Sequence, residues 1–247
     1  MIILPAIDLR GGRVVRLSQG DFARERRFDT DPVRLARLYE QAGARRLHAV
    51  DLDGARAGEP AQLPLLQALA DTGLAVQWGG GVRCQADIEA VLAAGARRVV
   101  VGSMAVREPG RFAQWLGRYG DRLVLALDLR TDDAGRWQPT ADAWQASVER
   151  DIEALLDGFA AAGLRWVLST DIARDGMAGG PNLDLYAWLA GRWPTLSVIA
   201  SGGVRDQADV QALAGTGAAA CVAGTALLEG TLPTATLAGH AGPAWAD

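Results

Sequence analysis

The chain has 247 residues, 49% of them apolar, with a formal charge of −4, enough for one large α/β barrel or two ordinary domains and too acidic for a nucleic-acid footprint. The opening MIILPAID carries no basic stretch and no A-x-A cleavage site, so no signal peptide is expected, and no uncharged apolar run approaches the roughly 18 residues of a membrane span. The cysteines are Cys84 and Cys221 alone, which fits a reducing, cytoplasmic setting rather than a disulfide scaffold.

In chain order, short runs rich in Val, Leu and Ile predict strands at Ile2–Asp8, Leu47–Leu52, Ala75–Trp78, Arg98–Val101, Leu123–Asp128, Trp166–Thr170, Ser197–Ala200 and Ala219–Ala223, as for strands covered on both faces. Amphipathic helical segments separate them. Asp31 and Pro32 supply an N-cap and first-turn proline for a helix carrying Val33, Leu35, Leu38, Tyr39 and Ala42, stopped at Gly43. Farther on, Ile88, Val91 and Leu92 share a face that ends before Gly95. Eight such βα units predict a single (βα)8 TIM barrel over residues 1–247. The stretch from Ser18 to Thr30 is polar and long for a βα loop, which makes it a candidate lid. Residues 239–247 read as a loose tail.

The chain also repeats itself. PAIDLR around Asp8 answers LALDLR around Asp128, and Asp51 answers Asp171, each pair 120 residues apart. GGGV at Gly79–Val82 answers SGGV at Ser201–Val204, and Gly102-Ser103 answers Gly224-Thr225. The barrel is therefore read as two (βα)4 half-barrels, about 1–120 and 121–247, with no linker between them.

All 25 cationic side chains are arginines, which excludes a Schiff-base lysine, a pyridoxal anchor and a Walker-type P-loop. Two distant histidines and two distant cysteines offer no metal motif, so a His/Cys metal site is not expected. Chemistry must then rest on carboxylates. Asp8 and Asp128 end the first and fifth strands, facing each other across the barrel mouth, where one can take a proton and the other give one. Gly80-Gly81, Gly102-Ser103, Gly202-Gly203 and Gly224-Thr225 follow strands three, four, seven and eight. Backbone amides there can approach anions beside helix N-termini, and two matched sites predict a small substrate with a phosphate at each end. Arg16 and Arg83 are candidates for phosphate or carbonyl contacts, His48 for a substrate contact, and Trp144 for stacking on an aromatic ring. Thr170 ends the sixth strand, and Asp175-Gly176 opens the loop after it.

Together, PAIDLRGGRVVRLSQGD, LHAVDLDGA, QWGGGVR, VGSMAV, LALDLR, TDIARDGM-x-GGPN, SGGV and AGTALLEG resemble the phosphoribosylformimino-aminoimidazole carboxamide ribotide (ProFAR) isomerase family of histidine biosynthesis, from Met1 to about Gly230. The resemblance implies an Amadori rearrangement of a bisphosphorylated aminoaldose to its aminoketose, with neither metal nor cofactor. Asp8 would be the base at C2′, Asp128 the acid that opens the ribose ring, and Thr170, Asp175, Arg83 and Trp144 substrate contacts. Neither nucleic acid nor membrane is an expected partner, and a monomer is expected to suffice. The related cyclase shares the barrel and both aspartates, but typically reads CLDV and VVKG where this chain has AIDL and VVRL. A dual-specificity isomerase that also accepts phosphoribosyl anthranilate would differ only in its loops, and a barrel that merely binds a phosphorylated metabolite would not need both aspartates. Trp78, Met104 and Met177 depart from the family's usual pattern.

Overall fold

The computed structural model describes residues 1–18, 20–132, 135–141, 146–147, 151–175 and 179–240. The chain opens with β1 (Ile2–Arg10), an antiparallel pair β2 (Arg13–Ser18) and β3 (Asp21–Arg27), and helix α1 (Pro32–Gln41). There follow β4 (Arg46–Asp51), α2 (Leu52–Ala57), α3 (Leu63–Ala70), β5 (Ala75–Gly79), α4 (Gln85–Ala93), β6 (Arg98–Val101), α5 (Ser103–Arg107) and α6 (Pro109–Tyr119). Next come β7 (Leu123–Thr131), β8 (Trp137–Ala141), β9 (Ala146–Ser147), α7 (Ile152–Ala161), β10 (Trp166–Asp171) and α8 (Leu183–Arg192). β11 (Ser197–Ser201), α9 (Gln207–Ala214), β12 (Ala220–Ala223), α10 (Thr225–Glu229) and α11 (Thr236–Gly239) complete the order.

Eight strands close a parallel barrel in the order β1-β4-β5-β6-β7-β10-β11-β12, with β12 returning to β1 at Ile2↔Ala220. Residues alternate across each strand. One set, Leu4, Val100, Val124, Leu168, Ile199 and Ala220, forms an apolar cluster inside the barrel. The other set, with Ile7, Leu47, Val99, Leu125 and Val198, packs against the helices in the larger core.

The helices take their places by simple local rules. Asp31 accepts the Arg34 N–H at 2.8 Å, Pro32 occupies the first turn, and Leu35, Ala36 and Tyr39 bury one face of α1. Asp151 caps α7 in the same way and Ile152, Leu155, Leu156 and Phe159 turn inward. Among the described residues no helix is long and apolar enough to cross a membrane.

The predicted barrel strands agree with the observed ones to within three residues at each end. The polar stretch expected as a loop from Ser18 is different: its core is β3, paired with β2 along Val15↔Arg27 to Leu17↔Glu25. This hairpin continues β1 beyond the barrel, with Asp8↔Val15 and Arg10↔Arg13 in register. β7 likewise extends past Asp128 and pairs with β8 at Leu129↔Pro139. Both hairpins rise from the C-terminal ends of strands and wall the mouth.

Candidate active site

Asp8 lies two residues before the end of β1, beside Val50 of β4. Across the barrel, Asp128, Thr170 and Ser201 form one row on β7, β10 and β11. β10 ends at Asp171, and the turn after it carries Asp175. Both Asp8 and Asp128 act electrostatically on Asp175, so three carboxylates converge on the mouth. Burial, then the charge of Asp8 and more weakly that of Asp128, pushes the Asp175 carboxyl up to about 6, while Arg16 opposes the rise.

Arg16 reaches back from β2. Its Nη1 donates to Asp8 Oδ2 at 2.6 Å and its Nη2 to the Ala6 carbonyl at 2.8 Å. Burial works against its charge, but the ion pair with Asp8, helped by Asp175, outweighs this and holds the guanidinium above its ordinary pKa. The same guanidinium lies over Gly224, where a Cβ would stand 1.6 Å from Nη2. Arg16 thus bridges the Asp8 carboxylate and the start of α10.

His48 sits inside the barrel, 6% exposed, its Nδ1 3.0 Å from the Gln77 amide. Burial pushes its imidazole down to about 4, with Asp8 opposing, so the ring is neutral at physiological pH. Trp78 and Met104 are buried in the outer core. Trp144, Gly176 and Met177 lie outside the described residues.

The glycine loops fall where the repeated spacing puts them. Gly80-Gly81 follows β5 and Gly102 precedes Ser103 at the start of α5. Gly202-Gly203 follows β11 and Gly224 precedes Thr225 at the start of α10. Each short helix presents its N-terminus to the mouth beside a glycine pair, the arrangement that suits a phosphate. The glycines also have a packing reason. Gly81 (φ 80°) and Gly203 (φ 84°) are left-handed, and a Cβ would meet the Glu59 carbonyl carbon at 2.4 Å and the Gly180 carbonyl oxygen at 2.5 Å. A Cβ on Gly80 would stand 2.1 Å from the Asp51 carbonyl oxygen. Arg83 is exposed at the rim, its guanidinium against Gly58.

Asp51 and Asp171, read from sequence only as strand ends, are buried clamps. Asp51 accepts the N–H groups of Gly54, Ala61 and Gln62 and the Gln62 side-chain amide at 2.8 to 3.0 Å. Asp171 accepts the Ala173 N–H at 3.0 Å and the Asn182 amide at 2.7 Å. Arg174 closes the same loop onto the carbonyls of Gly180 and Pro181. Sequence reasoning passed over Asp53 and Gln62, which fix the turn of the first hairpin; their one signal is the 11-residue spacing of Gln62 from Asp51 that Asn182 repeats from Asp171. Among the described residues no group of three or more His, Cys, Asp and Glu is placed to hold a metal ion.

A family model described as histidine biosynthesis protein matches residues 2–233. The chain belongs to this family. It is 50% identical over 232 residues to a relative from Xanthomonas campestris pv. campestris (strain B100), covering 93% of this chain and 95% of the relative. A relative from Xylella fastidiosa (strain M23) is 48% identical over 233 residues, covering 94% and 87%. One from Proteus mirabilis (strain HI4320) is 45% identical over 231 residues, covering 93% and 94%. All three are named 1-(5-phosphoribosyl)-5-((5-phosphoribosylamino)methylideneamino) imidazole-4-carboxamide isomerase.

Proposed function

We propose that this protein is a ProFAR isomerase of histidine biosynthesis, converting the N-linked aminoaldose to the aminoketose by acid–base chemistry between carboxylates. The observation that carries the proposal is membership of the family at close to half identity over nearly the whole chain, with every described residue of the expected carboxylate set at the barrel mouth. The substrate is a small molecule with a phosphate at each end, one phosphate at Gly80-Gly81 and Gly102-Ser103, the other at Gly202-Gly203 and Gly224-Thr225. In this reading Arg16, Arg83, Thr170, Trp144 and Gly176 contact the substrate between the two phosphates.

In this mechanism a carboxylic acid gives its proton to the furanose oxygen. The C1′–O bond breaks as the anomeric nitrogen's lone pair forms a protonated C1′=N bond. Asp8 then takes the C2′ proton, the C1′=C2′ enolaminol forms, and proton delivery to C1′ with loss of the O2′ hydroxyl proton leaves the C2′ ketone. The substrate's own nitrogen plays the part a lysine amine would play elsewhere, so a chain without lysine suffices.

Asp128 is the first candidate for the acid. A second reading favours Asp175, because burial and the neighbouring carboxylates raise its pKa to about 6, and a proton donor works best when its pKa approaches the working pH. Comparing the kcat/KM–pH profiles of Asp128→Asn and Asp175→Asn on ProFAR separates them. The donor's removal abolishes the limb on which activity falls as pH rises; the other variant loses rate but keeps that limb. Near-normal turnover in Asp8→Asn would contradict the mechanism as a whole.

A further inference from the structure

The turn between β1 and β2 is only Gly11-Gly12, at φ 54° and 73°. It is held from outside its own hairpin. Gly11 N–H donates to Asp53 Oδ2 at 2.6 Å and Gly12 N–H to Gln62 Oε1 at 2.9 Å. The Gln62 amide nitrogen donates to the Leu9 carbonyl at 3.2 Å and to Asp51 Oδ1 at 3.0 Å. One side chain therefore ties three things together: the end of the strand bearing Asp8, the turn, and the buried clamp at Asp51.

The matching position in the second half of the chain shows what Gln62 has given up. Gln62 and Asn182 each lie 11 residues beyond a buried aspartate and each is the N-cap residue of the helix that follows. Each donates its amide N–H to that aspartate. Asn182 uses its oxygen on its own helix, accepting the Leu185 N–H at 3.1 Å. Gln62, one methylene longer, makes no side-chain cap to α3; its oxygen reaches across to Gly12 instead. Asparagine is among the best N-cap residues and glutamine is not, so local helix stability alone does not account for the longer side chain.

The hairpin that Gln62 holds is the one that brings Arg16 to Asp8. From the turn, β2 runs back along β1 with Asp8 opposite Val15, and Arg16 follows at once. A shift of the turn moves the guanidinium relative to both Asp8 Oδ2 and Gly224. We infer that Gln62 is a positioning residue for the reaction, acting through the Gly11-Gly12 turn to place Arg16 between the Asp8 carboxylate and the α10 N-terminus. The inference rests on the proposed roles of Asp8 and Arg16.

Its test is a double-mutant cycle on the full chain with ProFAR as substrate, using Gln62→Asn, Arg16→Met and the double variant, with melting temperatures recorded alongside. Asparagine at position 62 restores the helix cap but is too short for Gly12. The expected result is a Tm equal to or above wild type with kcat/KM lowered roughly tenfold, the scale of one lost hydrogen bond. The double variant is expected to be no slower than Arg16→Met alone, because both changes disable the same guanidinium. Unchanged kcat/KM in Gln62→Asn, a fall in activity that follows a fall in Tm, or losses that multiply in the double variant would each overturn the inference while leaving the isomerase reading standing. Absence of ProFAR turnover by the wild-type chain would overturn that reading, and this inference with it.

Discussion

Two side chains, Asp175 at the mouth and His48 inside the barrel, carry opposite pH signatures. Asp175 has its pKa raised to about 6 from an ordinary 3.8, so between those values the folded protein binds more protons than the unfolded chain, and its contribution to stability falls as pH rises through that window. His48 is lowered to about 4 from 6.5, so the unfolded chain binds more protons there and its contribution to stability rises over nearly the same interval. In the wild type the two slopes oppose each other. Asp175→Asn removes one of them: its melting temperature is expected to climb more steeply than wild type from pH 4 to 6.5 and to lie above wild type at pH 7. A melting curve parallel to wild type across that range would show that Asp175 is not held in a desolvated, like-charged setting. Its sequence offers only an aspartate in a DG turn. The raised pKa comes first from burial and then from Asp8 and Asp128, 167 and 47 residues earlier in the chain, and no local pattern encodes that meeting.

At the scale of loops and helices, glycines that look alike in sequence differ in what they tolerate. Gly81 and Gly203 combine left-handed backbone with neighbouring backbone closer than 2.6 Å to any added Cβ. Alanine at either is expected to cost about 1–3 kcal/mol or more of stability, read as a lower denaturant midpoint, with weakened ligand binding a secondary effect. Gly224 is not left-handed (φ −115°), and the nearest atoms to its added methyl would be the guanidinium of Arg16. Gly224→Ala is therefore expected to keep its stability and lose activity by displacing the guanidinium. If Gly224→Ala melted as early as Gly81→Ala, the crowding would be backbone in origin and Arg16 would not be its source. The GG and GT pairs themselves were legible, because glycine after an apolar strand is a strong signal. Which of them serve a ligand and which serve packing was not, since the difference lies in Glu59, Pro60 and Gly180 on adjoining loops. The hairpin β2–β3 was missed for a related reason. DFARERR buries no residue fully along its length, so it lacks the apolar alternation that announces a strand; its pairing comes from the extension of β1.

The whole barrel was the easiest level to read. Eight apolar runs, each covered by helices outside and by Leu4, Val100, Val124, Leu168, Ile199 and Ala220 inside, must be strands of a closed parallel sheet, and their C-terminal ends must form the active face. Met1, Ile3 and His240 are tied together beside this closure. The Ile3 N–H donates to the His240 carbonyl at 3.1 Å, and His240 Nδ1 lies 3.0 Å from the Met1 carbonyl. That architecture alone serves many chemistries. The reaction is assigned by the family and by the isomerase name its relatives carry; Asp8, Asp128 and Asp175 are the groups proposed to carry it out. The most direct measurement is turnover of ProFAR by the purified wild-type chain, with phosphoribosyl anthranilate in parallel and Asp8→Asn as the control. The proposed isomerase mechanism requires conversion of ProFAR and a loss of about 10²- to 10⁴-fold in Asp8→Asn, the usual scale for a removed general base. No conversion of ProFAR by the wild type, or undiminished conversion by Asp8→Asn, would contradict it.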